Sequence, residues 1–118
     1  MIRASLACLC LAALALPAAA QDLSGQYTVK RTFDGWSSEG TAEIRMTSNT
    51  TCEVSWVMPG FVSGGICVLD GNALAAAYEL EDVVGLVIYR VQDDGTLNGV
   101  SIVAGQLGWA TDVLTPAN

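Results

Sequence analysis

The chain has 118 residues, 52% of them hydrophobic, and a net charge of −7 from five Lys and Arg against 12 Asp and Glu; it contains no histidine. A chain this acidic cannot present the cationic stripe that neutralises nucleic-acid phosphates. Without histidine it also lacks the commonest general base, the Ser-His-Asp and Cys-His nucleophile systems, and imidazole ligands for a metal.

In chain order, "MIRASLACLCLAALALPAAAQ" opens with one cation, Arg3, and an apolar run from Leu6 to Leu16 that Pro17 breaks. Ala18, Ala19 and Ala20 then supply the small residues that a signal peptidase reads. Residues 1–20 therefore read as a secretory signal peptide cut between Ala20 and Gln21, too short and wrongly flanked for a membrane span. The expected location is the periplasm or the medium, and residues 21–118 form one domain. They keep only Lys30, Arg31, Arg45 and Arg90 as cations, so binding to anionic membranes is disfavoured as well. Cys8 and Cys10 leave with the leader, and Cys52 and Cys67 remain. An even pair in an oxidising compartment reads as a disulfide. Two cysteines cannot complete a four-ligand zinc site, and there is no C-x-x-C redox motif.

From residue 25 onward, short alternating runs are broken by Gly, Asn, Asp and Pro every eight to twelve residues, which is the all-β pattern. Strands are expected near 25–32, 40–47, 51–58, 62–69, 73–79, 84–92, 96–103 and 108–115. In "TAEIRMT", Ala42, Ile44 and Met46 alternate with Thr41, Glu43, Arg45 and Thr47, giving one buried and one wet face. "NALAAAYELED" is the one helical temptation. Its short length and the Asp-Gly-Asn before it favour a strand.

The connections read as hairpins. "LDGN" (69–72) and "DDGT" (93–96) each place Asp-Gly at the two central positions of a type I′ turn. Taking Asp94-Gly95 as a two-residue corner sets Tyr89 opposite Val100 and Val87 opposite Ile102, all four on the core face. With Pro59-Gly60 as a corner, Met58 faces Phe61, Val57 faces Val62 and Cys52 faces Cys67. Opposed residues in a non-hydrogen-bonded pair lie about 4.5 Å apart at Cα, within reach of a disulfide. Such a bridge closes a loop of about fifteen residues and is worth about 3 kcal/mol by chain entropy. Pro-Gly prefers a type II turn, which splays hairpins, and that leaves a longer loop or a bulge open.

Eight consecutive hairpin-linked strands are most simply an all-β, eight-stranded antiparallel up-and-down barrel, with a β-sandwich as the alternative. An outer-membrane barrel is excluded, because its lipid face needs aromatic girdles and longer apolar bands, and the chain ends in "LTPAN".

At "LSGQYTV" (23–29) and "DDGTLNGVSI" (93–102) the chain resembles the calycin barrels, the avidins and lipocalins, with Tyr27 where that group usually has tryptophan. "SSEGTAEI", "DGNALAAAY" and "GLVIYRVQDDGTLNG" resemble a group of small exported proteobacterial proteins sometimes labelled fibronectin-binding. The "LSG" opening is also similar to periplasmic inhibitors of secreted metalloproteases. These resemblances imply an exported barrel that binds a protein, a matrix component or a small apolar ligand.

No catalytic residue, cofactor or metal is expected. Paired carboxylates could hydrolyse glycosides, but Glu79, Glu81, Asp82, Asp93 and Asp94 read as a solvated surface and turn formers. "ELED" (79–82) lacks the spacing of a calcium loop. "NTT" (49–51) reads as a polar turn. In an up-and-down barrel, alternate loops share an end, so segments near 33–40, 59–61, 80–83 and 104–107 come together. The turns near 48–50, 70–72 and 93–95 lie at the other end with both termini. The first end collects Phe33, Trp36, Met58 and Phe61, the candidate partner-binding residues. Aromatics on loops held by a rigid scaffold are typical anchors; the competing reading is that Phe33 and Trp36 fold back to plug the barrel. Tyr27, Trp56 and Tyr89 are expected inside it, and Tyr78 and Trp109 are expected to pack into the core from their strands.

Overall fold

The computed structural model describes residues 22–117; the leader and its cleavage position lie outside the described residues. Eight strands follow in order: β1 (Gly25–Phe33), β2 (Trp36–Met46), β3 (Thr51–Met58), β4 (Phe61–Asp70), β5 (Ala73–Leu80), β6 (Val83–Val91), β7 (Leu97–Val103) and β8 (Ala110–Pro116). Each pairs with its neighbours in sequence, and β1 pairs antiparallel with β8, so the sheet is a closed barrel with no open edge. The alanine-rich stretch is strand β5.

The alternation that defines the strands also fills the interior. β3 buries Cys52, Val54, Trp56 and Met58 while Thr51, Glu53, Ser55 and Val57 face out. An eight-stranded barrel is just wide enough for inward side chains to fill it. Here they interlock by size. Trp56 lies opposite Ala42, Tyr78 is flanked by Gly65 and Gly85, and Tyr89 lies opposite Gly99. A Cβ on Gly85 would stand 2.3 Å from the Tyr78 ring, so this glycine is needed for want of space. Trp56, Tyr89, Leu74, Leu97 and Leu114 are at most 1% exposed, each aliphatic worth about 1.5–3 kcal/mol on burial. The lower end, where the chain enters β1, is capped by buried Leu23, whose carbonyl accepts a 2.7 Å hydrogen bond from the Tyr27 hydroxyl.

The β3–β4 hairpin has the expected register, with Met58 opposite Phe61 and Cys52 opposite Cys67. Positive φ occurs at Gly60 (92°), the second corner position, as a Pro-Gly type II turn requires. The two cysteines are bonded, with Cα atoms 4.9 Å apart. Such a pair is consistent with an oxidising compartment.

Three expectations are corrected. Residues 36–40 are not loop but the start of β2: Asp34 and Gly35, at φ 52° and 81°, make a two-residue corner and Phe33 pairs with Trp36. "GWSSEG" lacks apolar alternation because both faces of this part of the hairpin are exposed above the barrel. The β4–β5 corner is Gly71-Asn72, with Asp70 paired to Ala73 and positive φ at Gly71, one residue later than Asp-Gly pairing implies. The β6–β7 register is shifted by one. Val91 pairs with Leu97 across a loop in which Gly95 N–H donates to the Gln92 carbonyl and Gln92 N–H to that of Thr96. This is a three-residue loop with its glycine at φ 89°, and one extra residue turns the following strand over. Tyr89 therefore faces Gly99, and Val100 and Ile102, read as core, point outward at 49% and 50% exposure.

Candidate functional site

The connections β1–β2, β3–β4, β5–β6 and β7–β8 gather at the upper end of the barrel, as the up-and-down order demands. Three are two-residue corners. The fourth, 104–109, is the longest connection, held by the Ala104 N–H to the Val84 carbonyl at 2.9 Å. Inside this rim lies a pocket of about 210 Å³ lined by Phe33, Phe61, Leu80, Val103, Gln106 and Trp109, with Arg31, Tyr78 and Ser101 toward its floor. That is below the ~300–1,000 Å³ of drug-sized sites and suits one large side chain or a small molecule.

The floor is polar for a definite reason. Arg31 on β1 and Asp112 on β8 are paired across the barrel seam and both sit on inward positions of their strands. Arg31 Nε and Nη2 donate to the two Asp112 oxygens at 2.7 and 2.8 Å, a bidentate fork. Asp112 also accepts from the Tyr89 hydroxyl at 3.0 Å, and Trp56 Nε1 donates to that hydroxyl at 3.1 Å. The Asp112 side chain is wholly buried and that of Arg31 is 15% exposed. Burial alone would lower the Arg31 pKa; the hydrogen bonds and charge of Asp112 outweigh it and hold the guanidinium above its ordinary value. Among the described residues, Nη1 finds no acceptor, so Arg31 keeps donors to offer to the pocket it lines.

Burial raises all three interior phenols. Tyr89 stands well above 10.0, through desolvation and then the nearby Asp112 charge. Tyr78 is raised by desolvation, partly offset by Arg31; Tyr27 is raised by desolvation and Asp22. A group whose pKa is raised on folding adds stability that is complete below its unfolded value and lost as pH climbs above it. The barrel is expected to stay folded to about pH 10 and then to unfold as phenolate absorbance near 295 nm rises, the two transitions coinciding. Phenols that titrate fully with the circular dichroism unchanged contradict this.

The expected site residues divide. Trp36 is 81% exposed and Phe33 37%, both at the upper end, so Trp36 does not plug the barrel and Phe33 forms part of the pocket wall. Phe61 is half-buried against the core. Met58, expected at the gripping end, is buried at 4% because it occupies the last inward position of β3. Tyr27, Trp56 and Tyr89 are interior. Trp109, expected to pack in a strand, precedes β8 and is 59% exposed on the rim beside Leu107 at 92%. Glu79, Glu81 and Asp82 do not converge; among the described residues no three Asp, Glu or Cys side chains form a metal-holding group. Arg31 and Asp112 were not singled out from sequence. Their signal is the alternation Ala110-x-Asp112-x-Leu114, which puts an acid on the inward face of the strand that must close on β1.

No protein-family model matches the chain, and no curated protein matches it. Among solved structures it is similar to a redesigned beta barrel, with a TM-score of 0.69 and 16% identity, covering 81% of this chain and 92% of that one. At that identity the likeness shows the fold alone.

Proposed function

We propose that this is an exported, non-catalytic binding module that uses the upper rim of the barrel to grip a protein or matrix partner. One observation carries the reading: Phe33 and Trp109 line a preformed pocket between exposed Leu107 and a groove lined by Trp36 that shares Phe33 and Arg31 with it, while the opposite end is capped by Leu23. Interface energy concentrates where an anchor side chain fills a desolvated pocket ringed by aromatics. The pocket holds one such anchor, with Trp109 in its wall and Trp36 in the adjoining groove. The resemblance to exported proteins labelled fibronectin-binding makes fibronectin the first probe to immobilise. Trp36→Ala and Trp109→Ala are each expected to weaken capture by about 30-fold, the size of a ~2 kcal/mol hot spot. The melting temperature should not move, because both rings are exposed. Capture that survives both substitutions removes the reading. Phe61→Ala is less informative, since its ring also packs on the core.

A second reading is a carrier of a small molecule, favoured by the unused Arg31 Nη1 donors beside an apolar wall. Because the interior below is filled by Trp56, Tyr78 and Tyr89, such a ligand would sit in the mouth and be compact, with a hydrogen-bond acceptor. Native mass spectrometry of protein purified from its source would show it as added mass that Arg31→Met abolishes. Inhibition of a secreted protease, the remaining suggestion from resemblance, would use the same rim.

A further inference from the structure

Outside the barrel, the two halves differ sharply. The outward positions of β1, β2 and β3 carry Lys30, Glu39, Glu43, Arg45 and Glu53 among threonines and serines, with Val57 the one large aliphatic. On β4 to β7 the outward charges are confined to the strand ends, Asp70 and Arg90 at the lower end and Glu79 at the upper, and the span between them is apolar. Two complete rows cross these four strands in register: Val68, Ala75, Ile88 and Val100, and next to it Ile66, Ala77, Leu86 and Ile102. None of the eight bears a polar atom on its side chain. Ile66 is 69% exposed and Leu86, Ile88 and Ile102 are each 50% exposed. Isolated exposed aliphatics are ordinary, but a contiguous patch beyond a few hundred Å² marks an interaction surface.

We propose that this face pairs with the same face of a second copy of the chain. The relief is self-complementary. Ala75 and Ala77 make a shallow groove along β5, and Leu86 and Ile88 make a ridge along the adjacent β6. A two-fold axis running parallel to the strands between β5 and β6 lays each ridge in the other copy's groove, as an isologous contact requires. The centre of the face holds no charge, so two strongly acidic chains meet there without repulsion. At its lower margin Arg90 on β6 pairs with Ala73, and Ala73 pairs with Asp70 on β4. The same rotation sets Arg90 over that margin of the other copy, near its Asp70, so the lower rim charges attract, while Glu79 on β5 at the upper margin approaches its counterpart and opposes them. Eight side chains of this exposure present on the order of 700 Å², close to the ~800 Å² per partner of a standard interface. The convexity of a barrel keeps part of that area apart, which places the dimer in the micromolar range of affinity. Lipid fits the face less well. A spanning barrel needs an apolar band on every strand, and β1, β2 and β3 carry charged residues at outward positions.

Sedimentation equilibrium of the purified, disulfide-bonded protein from about 1 to 500 μM tests the proposal, since that window brackets a micromolar Kd. A reversible monomer–dimer equilibrium is expected. Leu86→Lys, which buries an unpaired ammonium in the ridge, is expected to weaken it at least 30-fold, and Ile66→Lys does the same from β4. Thr28→Lys on the polar half is the control and leaves the dimer intact. Ile66→Lys keeps the test open if Leu86→Lys does not fold. Monomer at every concentration overturns the proposal, as does a dimer that both β4 and β6 variants retain. Co-flotation of monomeric protein with phosphatidylcholine vesicles, lost in Leu86→Lys, overturns it in favour of a lipid surface. None of these readouts involves the upper rim, so they stand apart from the capture assay.

Discussion

Asp112→Ala is expected to cost about 3–5 kcal/mol of folding stability, the usual penalty for stranding one member of a buried ion pair. Removing the carboxylate leaves the Arg31 charge, 15% exposed, without the acceptor for its Nε and Nη2 donors, and leaves the Tyr89 hydroxyl without its acceptor. Small domains have about 5–15 kcal/mol in total, so the variant is expected to melt tens of degrees lower or to be partly unfolded at 25 °C. Replacing both partners together, Arg31→Met with Asp112→Leu, should recover most of the loss, because an apolar pair carries no desolvation cost. Urea denaturation of the two singles and the double closes a thermodynamic cycle. A single-variant loss below about 1 kcal/mol, the range of surface pairs, would show that the pair is solvated rather than held in the core. The double variant should fold and yet fail to hold an acceptor-bearing small molecule in the mouth, which separates the stabilising role of Arg31 from its donor role.

Reduction of Cys52–Cys67, or replacement of both by alanine, is expected to lower stability by about 2–4 kcal/mol, with ~3 from the entropy of the fifteen-residue loop. The effect should appear mainly as a lower denaturation midpoint. A steeper dependence on urea is also expected in the reduced protein, because its unbridged unfolded chain exposes more surface. Both cysteines are buried and lie toward the lower end of their strands, away from the rim. Rim binding at temperatures where the reduced protein remains folded should therefore match that of the oxidised protein. A reduced protein with an unchanged midpoint would contradict the loop-entropy account.

Where the register was readable depended on whether the expected residue pair itself formed the corner. Pro59-Gly60 does, so the register of β3 and β4 followed from the letters, and with it the pairing of Cys52 and Cys67. Gly71-Asn72 is also a two-residue corner, but lies one residue past the expected Asp-Gly. "DDGT" carries an Asp-Gly signal for a two-residue corner but uses three loop residues, and nothing local marks the difference. The error turned Val100 and Ile102 from core to surface. It also hid the apolar outer face, which exists only once those two side chains stand beside Leu86 and Ile88. The upper end itself was correctly grouped, because strand order alone decides which loops are neighbours. Its composition was not. Met58 falls inward by the parity of β3, a fact available from the alternation of that strand, whereas the exposure of Trp109 depends on where β8 begins, which a Gly-Trp-Ala run does not mark. The Arg31–Asp112 pair needs inward parity on both strands and closure of the sheet; closure follows from the hairpin order, but the expectation that Trp109 packs into the core assigns β8 the opposite parity and turns Asp112 outward.

The joint between β1 and β8 links residues 79 to 89 positions apart, from Thr32–Thr111 to Tyr27–Pro116, while every other strand pair is made of neighbours in sequence. Hairpins can therefore form early and locally, leaving closure of the cylinder as the costly late event. Until it closes, β1 and β8 present unpaired backbone donors and acceptors, a template for joining chains end to end. The guanidinium and carboxylate that meet across this joint thus act as a latch, and a chain without the latch would be drawn toward strand exchange and polymerisation before it lost its shape.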